Sequence, residues 1–94
     1  MLLNIVVTPA ALSDLKESAD WYDLQQPGLG DKFLHCINDK FSVLIITPGI
    51  GSIRFDIVRC TTVDIFSHII YYTFTDSLIT IIRVLHSSRK PLWE

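Results

Sequence analysis

Residues 63–86 read VDIFSHIIYYTFTDSLITIIRVLH, and the fold turns on how this stretch divides. β-Branched and aromatic residues dominate 63–74 and 78–86, and Thr75, Asp76 and Ser77 between them have the composition of a hairpin loop. Two neighbouring antiparallel strands are therefore expected. Both are apolar at nearly every position, the pattern of strands covered on both faces, so a helical layer should lie on one side and a further cover on the other. Upstream, Ile53, Phe55 and Ile57 alternate with Ser52, Arg54 and Asp56. This is the two-residue period of one half-buried strand, and Arg59 continues it at the same parity as the apolar residues.

Working back towards the start, the period changes. Thr8 followed by Pro9 is a helix-start signal, because a threonine hydroxyl can accept an orphan backbone N–H and proline at the first helical position forfeits no hydrogen bond. Leu12, Leu15, Ala19 and Tyr22 then recur at helical spacing until "QQPGLG" (25–30) supplies proline and glycine breakers. Trp21 and Tyr22 are expected in core or hairpin packing. A second stripe, Phe33, Ile37, Phe41, Leu44 and Ile45, should stop at Thr47, since Pro48 disfavours a helical residue before it. The short connection predicts an antiparallel helical hairpin. "MLLNIVV" (1–7) reads as a strand rather than a targeting peptide, having no basic n-region. The expected architecture is α+β, in the order β-α-α-β-β-β, with the helical hairpin on one face of a small, mostly antiparallel sheet and residues 1–94 as one domain.

Composition narrows the function classes. No apolar run reaches bilayer length, because Asp64, Ser67, His68, Asp76 and Arg83 interrupt the longest stretches, so a membrane protein is not expected. Cys36 and Cys60 lack paired-thiolate spacing, which argues against a zinc site or disulfide framework and for a reduced, cytoplasmic setting. Charge divides with the layers: residues 1–50 carry three lysines against six carboxylates, and residues 51–94 carry four arginines and one lysine against four carboxylates. An acidic partner would therefore meet the sheet half. Hydrophobic residues make up 49% of the chain and mean hydropathy is +0.37, more than so small a core can absorb, so a partner is expected to cover apolar surface.

Four stretches together resemble the RelE/ParE superfamily of bacterial toxins, the toxic half of toxin-antitoxin and plasmid-stabilisation pairs, and the ParE-like branch most. They are "DLKESADWYDLQQPGLGDKF" (14–33), "DIVRC" (56–60), "IFSHIIYY" (65–72) and "VLHSSRKPLW" (84–93). The resemblance implies the same β-α-α-β-β-β order that periodicity suggests. ParE-like relatives poison DNA gyrase by binding, with no reaction of their own, and a cognate antitoxin neutralises them through a segment that folds on contact. RelE-type relatives instead cut messenger RNA on the ribosome, using basic residues and a tyrosine or histidine near the end of the last strand. His86 matches such a histidine by position, but the next residue is Ser87 where those nucleases often carry tyrosine, and His68 stands where some carry arginine. A pI of about 5.8 and a net charge of −2 are unfavourable for binding ribosomal phosphates. A growth inhibitor acting by binding is the first reading; the ribosome-dependent nuclease and an interaction-only relative are the alternatives. The expected partners are an antitoxin and a macromolecular target, gyrase or ribosome, in a homodimer or toxin-antitoxin hetero-oligomer.

No residue is assigned a catalytic role, and neither cofactor nor metal is expected. The candidate target- or antitoxin-binding residues are Arg59, Arg83, His86, Arg89, Lys90 and Trp93. Each also has a structural reading. His86 at a strand end can hold a backbone group, and Arg59 can lay its stem along a core edge while pairing with an acid. Arg83, inside an apolar strand, calls for a carboxylate partner, because an unpaired charge there would be costly. Arg89 and Lys90 can be a solvated face, and Trp93 can cap the core or anchor a partner. Ser87 and Ser88 lack the base and orienting acid a nucleophile needs.

Overall fold

The computed structural model describes residues 3–90. In chain order the elements are β1 (Asn4–Val7), α1 (Pro9–Gln25), α2 (Leu29–Ile46), a 3₁₀ turn (Pro48–Ile50), β2 (Ser52–Phe55), β3 (Val58–Thr62), β4 (His68–Phe74) and β5 (Leu78–His86). The sheet runs β1-β5-β4-β3-β2, with β1 parallel to β5 and every other pairing antiparallel. This is the expected α+β class with one strand more, giving β-α-α-β-β-β-β.

The additional strand comes from the stretch around Ile53. Its alternation continues through a two-residue turn at Asp56 and Ile57, so β2 and β3 form a hairpin where one strand was expected. Asp56 takes the left-handed backbone conformation (φ 53°) that such a turn requires. The expectation that Ile53, Phe55 and Ile57 are half-buried is corrected: all three are exposed, because β2 lies on the sheet edge. Residues 63–67 are likewise not strand. Val63 and Phe66 are buried anchors of a loop in which Ile65 holds φ 74°, unusual for a β-branched residue, with its side chain exposed. The His68 N–H donates to the Phe66 carbonyl and the Val63 N–H to the His68 carbonyl, fixing the loop at the start of β4.

Local chemistry sets the helices. Thr8 caps α1 as expected, its Oγ1 accepting the Ala11 N–H and donating to the Ile82 carbonyl. The cap therefore also ties the helix to β5. Gly28, with φ 89°, turns the chain into α2. At Gly30 the helices approach so closely that a Cβ would run into the Ala19 carbonyl oxygen, and the Gly30 N–H donates to Asp23 Oδ1 at 2.7 Å. The core lies between helices and sheet, with Ala11, Leu15, Ala19, Phe33, Ile37 and Leu44 facing Ile70, Tyr72, Ile79, Ile81 and Val84. Two residues of the first helix depart from their predicted places, Leu12 and Trp21, which are both exposed; Asp14 of the same helix is buried.

A bulge explains part of the unbroken apolar run in β5. Tyr72 pairs with Ile81 and Tyr71 with Arg83, so Ile82 is the extra residue and the inward parity passes from Ile81 to Val84. Tyr71 and Leu85 are buried too, although they lie outside the helix-side core cluster. The sheet's second face is thus not the bare apolar plane expected from the sequence, and the large exposed apolar side chains lie mainly on the helices and the β2–β3 hairpin. Tyr72 joins the two halves: its hydroxyl donates to the Pro48 carbonyl (2.7 Å) and accepts the Gly51 N–H (2.9 Å). Tyr72→Phe leaves both groups without that partner and is expected to lower stability by about 1–3 kcal/mol, read as a drop in thermal midpoint without loss of the fold.

Candidate functional site

The β4–β5 register places His68 directly opposite His86 at the end of the sheet, where β1 no longer flanks β5. The second half of α1 crosses this end. Together they enclose an open groove of ≈ 770 Å³, lined on the helix side by Glu17, Asp20, Trp21 and Leu24 and on the sheet side by His68, His86 and Ser88, with Ser18 and Tyr22 between. Glu17, Asp20, Trp21 and Leu24 fall at i, i+3, i+4 and i+7, so they share one helix face. Trp21 is 56% exposed and Leu24 83%.

His68 is the buried floor, only 4% exposed. Its ring rests on Phe33 (centroids 4.8 Å apart) and Tyr22 (5.8 Å), and Tyr22 packs edge-on against Phe66 at 4.8 Å. Nε2 lies 3.2 Å from Ser18 Oγ, and Nδ1 a long 3.4 Å from the Tyr22 hydroxyl. Both hydroxyls can donate or accept, so a neutral imidazole is satisfied in either tautomer. Burial first, and the neighbouring His86 second, push its pKa from 6.5 down to about 4. The ring is therefore uncharged at neutral pH. Burial also raises the Tyr22 phenol, which keeps its proton.

His86 is exposed and stands edge-on to His68, centroids 5.2 Å apart. Its Nδ1 accepts the Ser88 N–H at 3.1 Å and lies 2.7 Å from Ser88 Oγ. A ring nitrogen does therefore lie beside Ser88, contrary to the sequence reading, yet the arrangement is a local turn in which the backbone N–H already occupies the acceptor lone pair.

The other candidates are dispersed. Arg83 finds the carboxylate that its position demanded: Nε and Nη2 donate to Asp14 Oδ2 and Oδ1 at 2.7 and 2.8 Å, and Asp14 Oδ2 also accepts the Val84 N–H at 3.1 Å. Asp14 thereby completes the edge of β5 beyond β1 and raises the Arg83 pKa, chiefly through these hydrogen bonds. Arg59 pairs with carbonyls rather than with an acid, donating to Gly51 O at 2.7 Å and Gly49 O at 3.4 Å, with its guanidinium 5.2 Å from the centre of the Phe74 ring. The turn in the β2–β3 hairpin places Arg59 opposite Ile53. Arg89 and Lys90 are exposed past β5, and Trp93 lies outside the described residues. Of the candidate binding residues that are described, only His86 lines the groove, beside Trp21, Tyr22, His68 and Ser88, which the sequence offered in other roles. The helix-face quartet is legible as an i, i+3, i+4, i+7 set, but core or hairpin packing is what the sequence predicts for its tryptophan, which is exposed.

Among the described residues the groove lining holds two carboxylates and neither lysine nor arginine. Such a surface repels phosphate and suits cationic or apolar groups. Among the described residues no cluster of three metal-ligating side chains occurs, and no helix is long and apolar enough to cross a membrane.

Among solved structures, a chain of the "Chromosomal ParDE TA system from P. aeruginosa" superposes with a TM-score of 0.79 at 19% identity, covering 90% of this chain and 96% of that one. At that identity the likeness is one of fold. No curated protein matches the chain. A family model described as "ParE toxin of type II toxin-antitoxin system, parDE" matches residues 5–91, nearly the full length. Two helices on one face of this sheet, together with that match, place the chain in the ParE toxin family of type II toxin-antitoxin systems.

Proposed function

We propose that this toxin arrests growth in the cytoplasm by binding DNA gyrase, and that a cognate antitoxin neutralises it in a hetero-oligomer. Family membership supplies the class, and the gyrase target follows from the resemblance to ParE-like toxins. The observation that carries binding over cutting is the composition of the groove. Phosphodiester cleavage needs a proton acceptor and cationic stabilisation of the phosphate. Here His68 is held neutral between hydroxyls, the His86 Nδ1 lone pair is engaged by Ser88, and the charges supplied by the lining carboxylates are negative. In this reading the exposed Arg89 and Lys90 contact the target or antitoxin, with Trp93 as an anchor beside them. Arg83 and Arg59 hold the platform's shape. Their internal bonds favour a positioning role over direct contact.

The ribosome-dependent nuclease is the second reading, favoured only by an exposed histidine at the end of the last strand. Two purified reactions distinguish them. With gyrase and relaxed plasmid, the chain is expected to inhibit supercoiling; with programmed ribosomes, messages should stay intact. Message cleavage that His86→Ala abolishes would overturn the binding reading.

A further inference from the structure

We propose that the groove between α1 and the ends of β4 and β5 is a docking site for a protein segment carrying an apolar anchor flanked by lysine or arginine. The proposal deepens the binding reading above and rests on it for biological meaning. Three independent features converge on the groove. Trp21 and Leu24 project from its rim as exposed apolar side chains, which a rigid aromatic-aliphatic pair makes suitable for gripping an anchor residue. Glu17 and Asp20 lie one turn behind them on the same helix face, so a segment seated on Trp21 and Leu24 meets two carboxylates. The floor is a neutral imidazole on an aromatic cluster, which accepts apolar groups without burying a charge.

Charge selects the occupant's sign. Among the described residues Asp20 pairs with Lys16 at 3.8 Å through two largely exposed side chains, a contact readily displaced, and Glu17 lies in the field of Arg83. Residues 1–50 as a whole carry six carboxylates against three lysines, so the helix side of the groove is acidic, while Arg89 and Lys90 follow Ser88 on the sheet side. The volume of ≈ 770 Å³ is that of a site for a few side chains, and an open rim with projecting apolar groups suits a chain segment more than an enclosed small molecule.

The test uses the full chain and two short fluorescein-labelled peptides. One carries a leucine and a phenylalanine flanked by lysines, and the other has glutamates in place of the lysines. By fluorescence anisotropy the basic peptide is expected to bind on the order of tenfold more tightly than the acidic one, and added salt should erode the difference. The double variant Glu17→Lys/Asp20→Lys, altered at exposed positions, should keep its melting temperature and reverse the preference. Trp21→Ala should weaken both peptides. Equal binding of the two peptides, or a preference that the double variant leaves unchanged, overturns the proposal. So does self-association of the chain that the double variant abolishes, since a second copy would then be the occupant. Growth arrest is read separately. Arrest that persists with no peptide selectivity sinks the docking site and leaves the toxin reading intact, whereas selectivity without any arrest does the reverse.

Discussion

Asp14→Ala is expected to cost about 3 kcal/mol, the lower end of the range for breaking one side of a buried ion pair, because the Arg83 side chain left behind is 30% exposed. Asp14 is 5% exposed and takes three donors: two from Arg83 and the Val84 N–H. Alanine would leave a partly exposed guanidinium and a strand-edge N–H without their acceptor, at the point where β1 ends and Asp14 of α1 takes over that edge of β5. A domain of this size has a total stability of about 5–14 kcal/mol, and each kcal/mol moves its thermal midpoint by roughly 4–8 °C. The midpoint should therefore fall by about 12–24 °C. Asp14→Asn should recover part of the loss, and the Asp14→Leu/Arg83→Met pair the part due to the stranded charge, since apolar side chains of similar volume replace the ion pair while the Val84 N–H stays without its acceptor. A double-mutant cycle showing independent, additive effects at 14 and 83 would contradict the coupling drawn here.

The second large effect is an acid one. His68 titrates near pH 4 in the folded chain and near 6.5 when unfolded, so between those values the unfolded state binds the extra proton. Stability is at its full value above about pH 6.5, declines as pH falls from 6.5 to 4, and levels off for this group below that. The shift corresponds to about 3 kcal/mol in all. His86 across the strand pair, Ser18 and Tyr22 from α1 and Phe33 from α2 face the ring, while Glu17 and Asp20 line the same groove. Comparing pH-dependent urea melts of the chain and of His68→Gln isolates the contribution. The variant should lose about 3 kcal/mol less on going from pH 7 to pH 4, and parallel curves would show that the imidazole is not held neutral as described.

Much of this architecture can be read from particular residues. Thr8 and Pro9 mark the start of α1, the Phe33–Leu44 stripe marks α2, and Thr75–Ser77 joins β4 to β5. The need of Arg83 for a carboxylate was also legible, although not which carboxylate, because Asp14 stands among acids that look solvent-facing. What escaped has physical causes. The Asp56–Ile57 turn contains no glycine, proline or asparagine and preserves the alternation of its flanks, so two strands resembled one. Val63 and Phe66 are buried as a strand's residues would be, although the loop around Ile65 leaves the sheet. Core or hairpin packing is the sequence expectation for Trp21, whereas the face of α1 towards the sheet is set by Ala11, Asp14 and Leu15 and leaves Trp21 exposed. The groove escaped because it joins residues fifty positions apart, Ser18 with His68, through a hydrogen bond between unremarkable side chains.

The exposed apolar surface therefore lies elsewhere than on the sheet face. The sequence suggested a bare apolar sheet face, and the buried Tyr71 and Leu85 argue against it at the centre of that face. Exposed apolar groups instead flank an acidic groove at the sheet's end and line its β2 edge. A toxin of this kind would engage its target through edges and ends, where side chains from helix and strand meet.

The most direct test of action by binding is pulse labelling of new DNA and new protein in the first minutes after the chain is expressed without an antitoxin. Gyrase inhibition predicts that DNA synthesis falls first, with broken chromosomes and intact messages. An immediate stop in protein synthesis, with messages cut at ribosome positions while DNA labelling continues, would contradict the account.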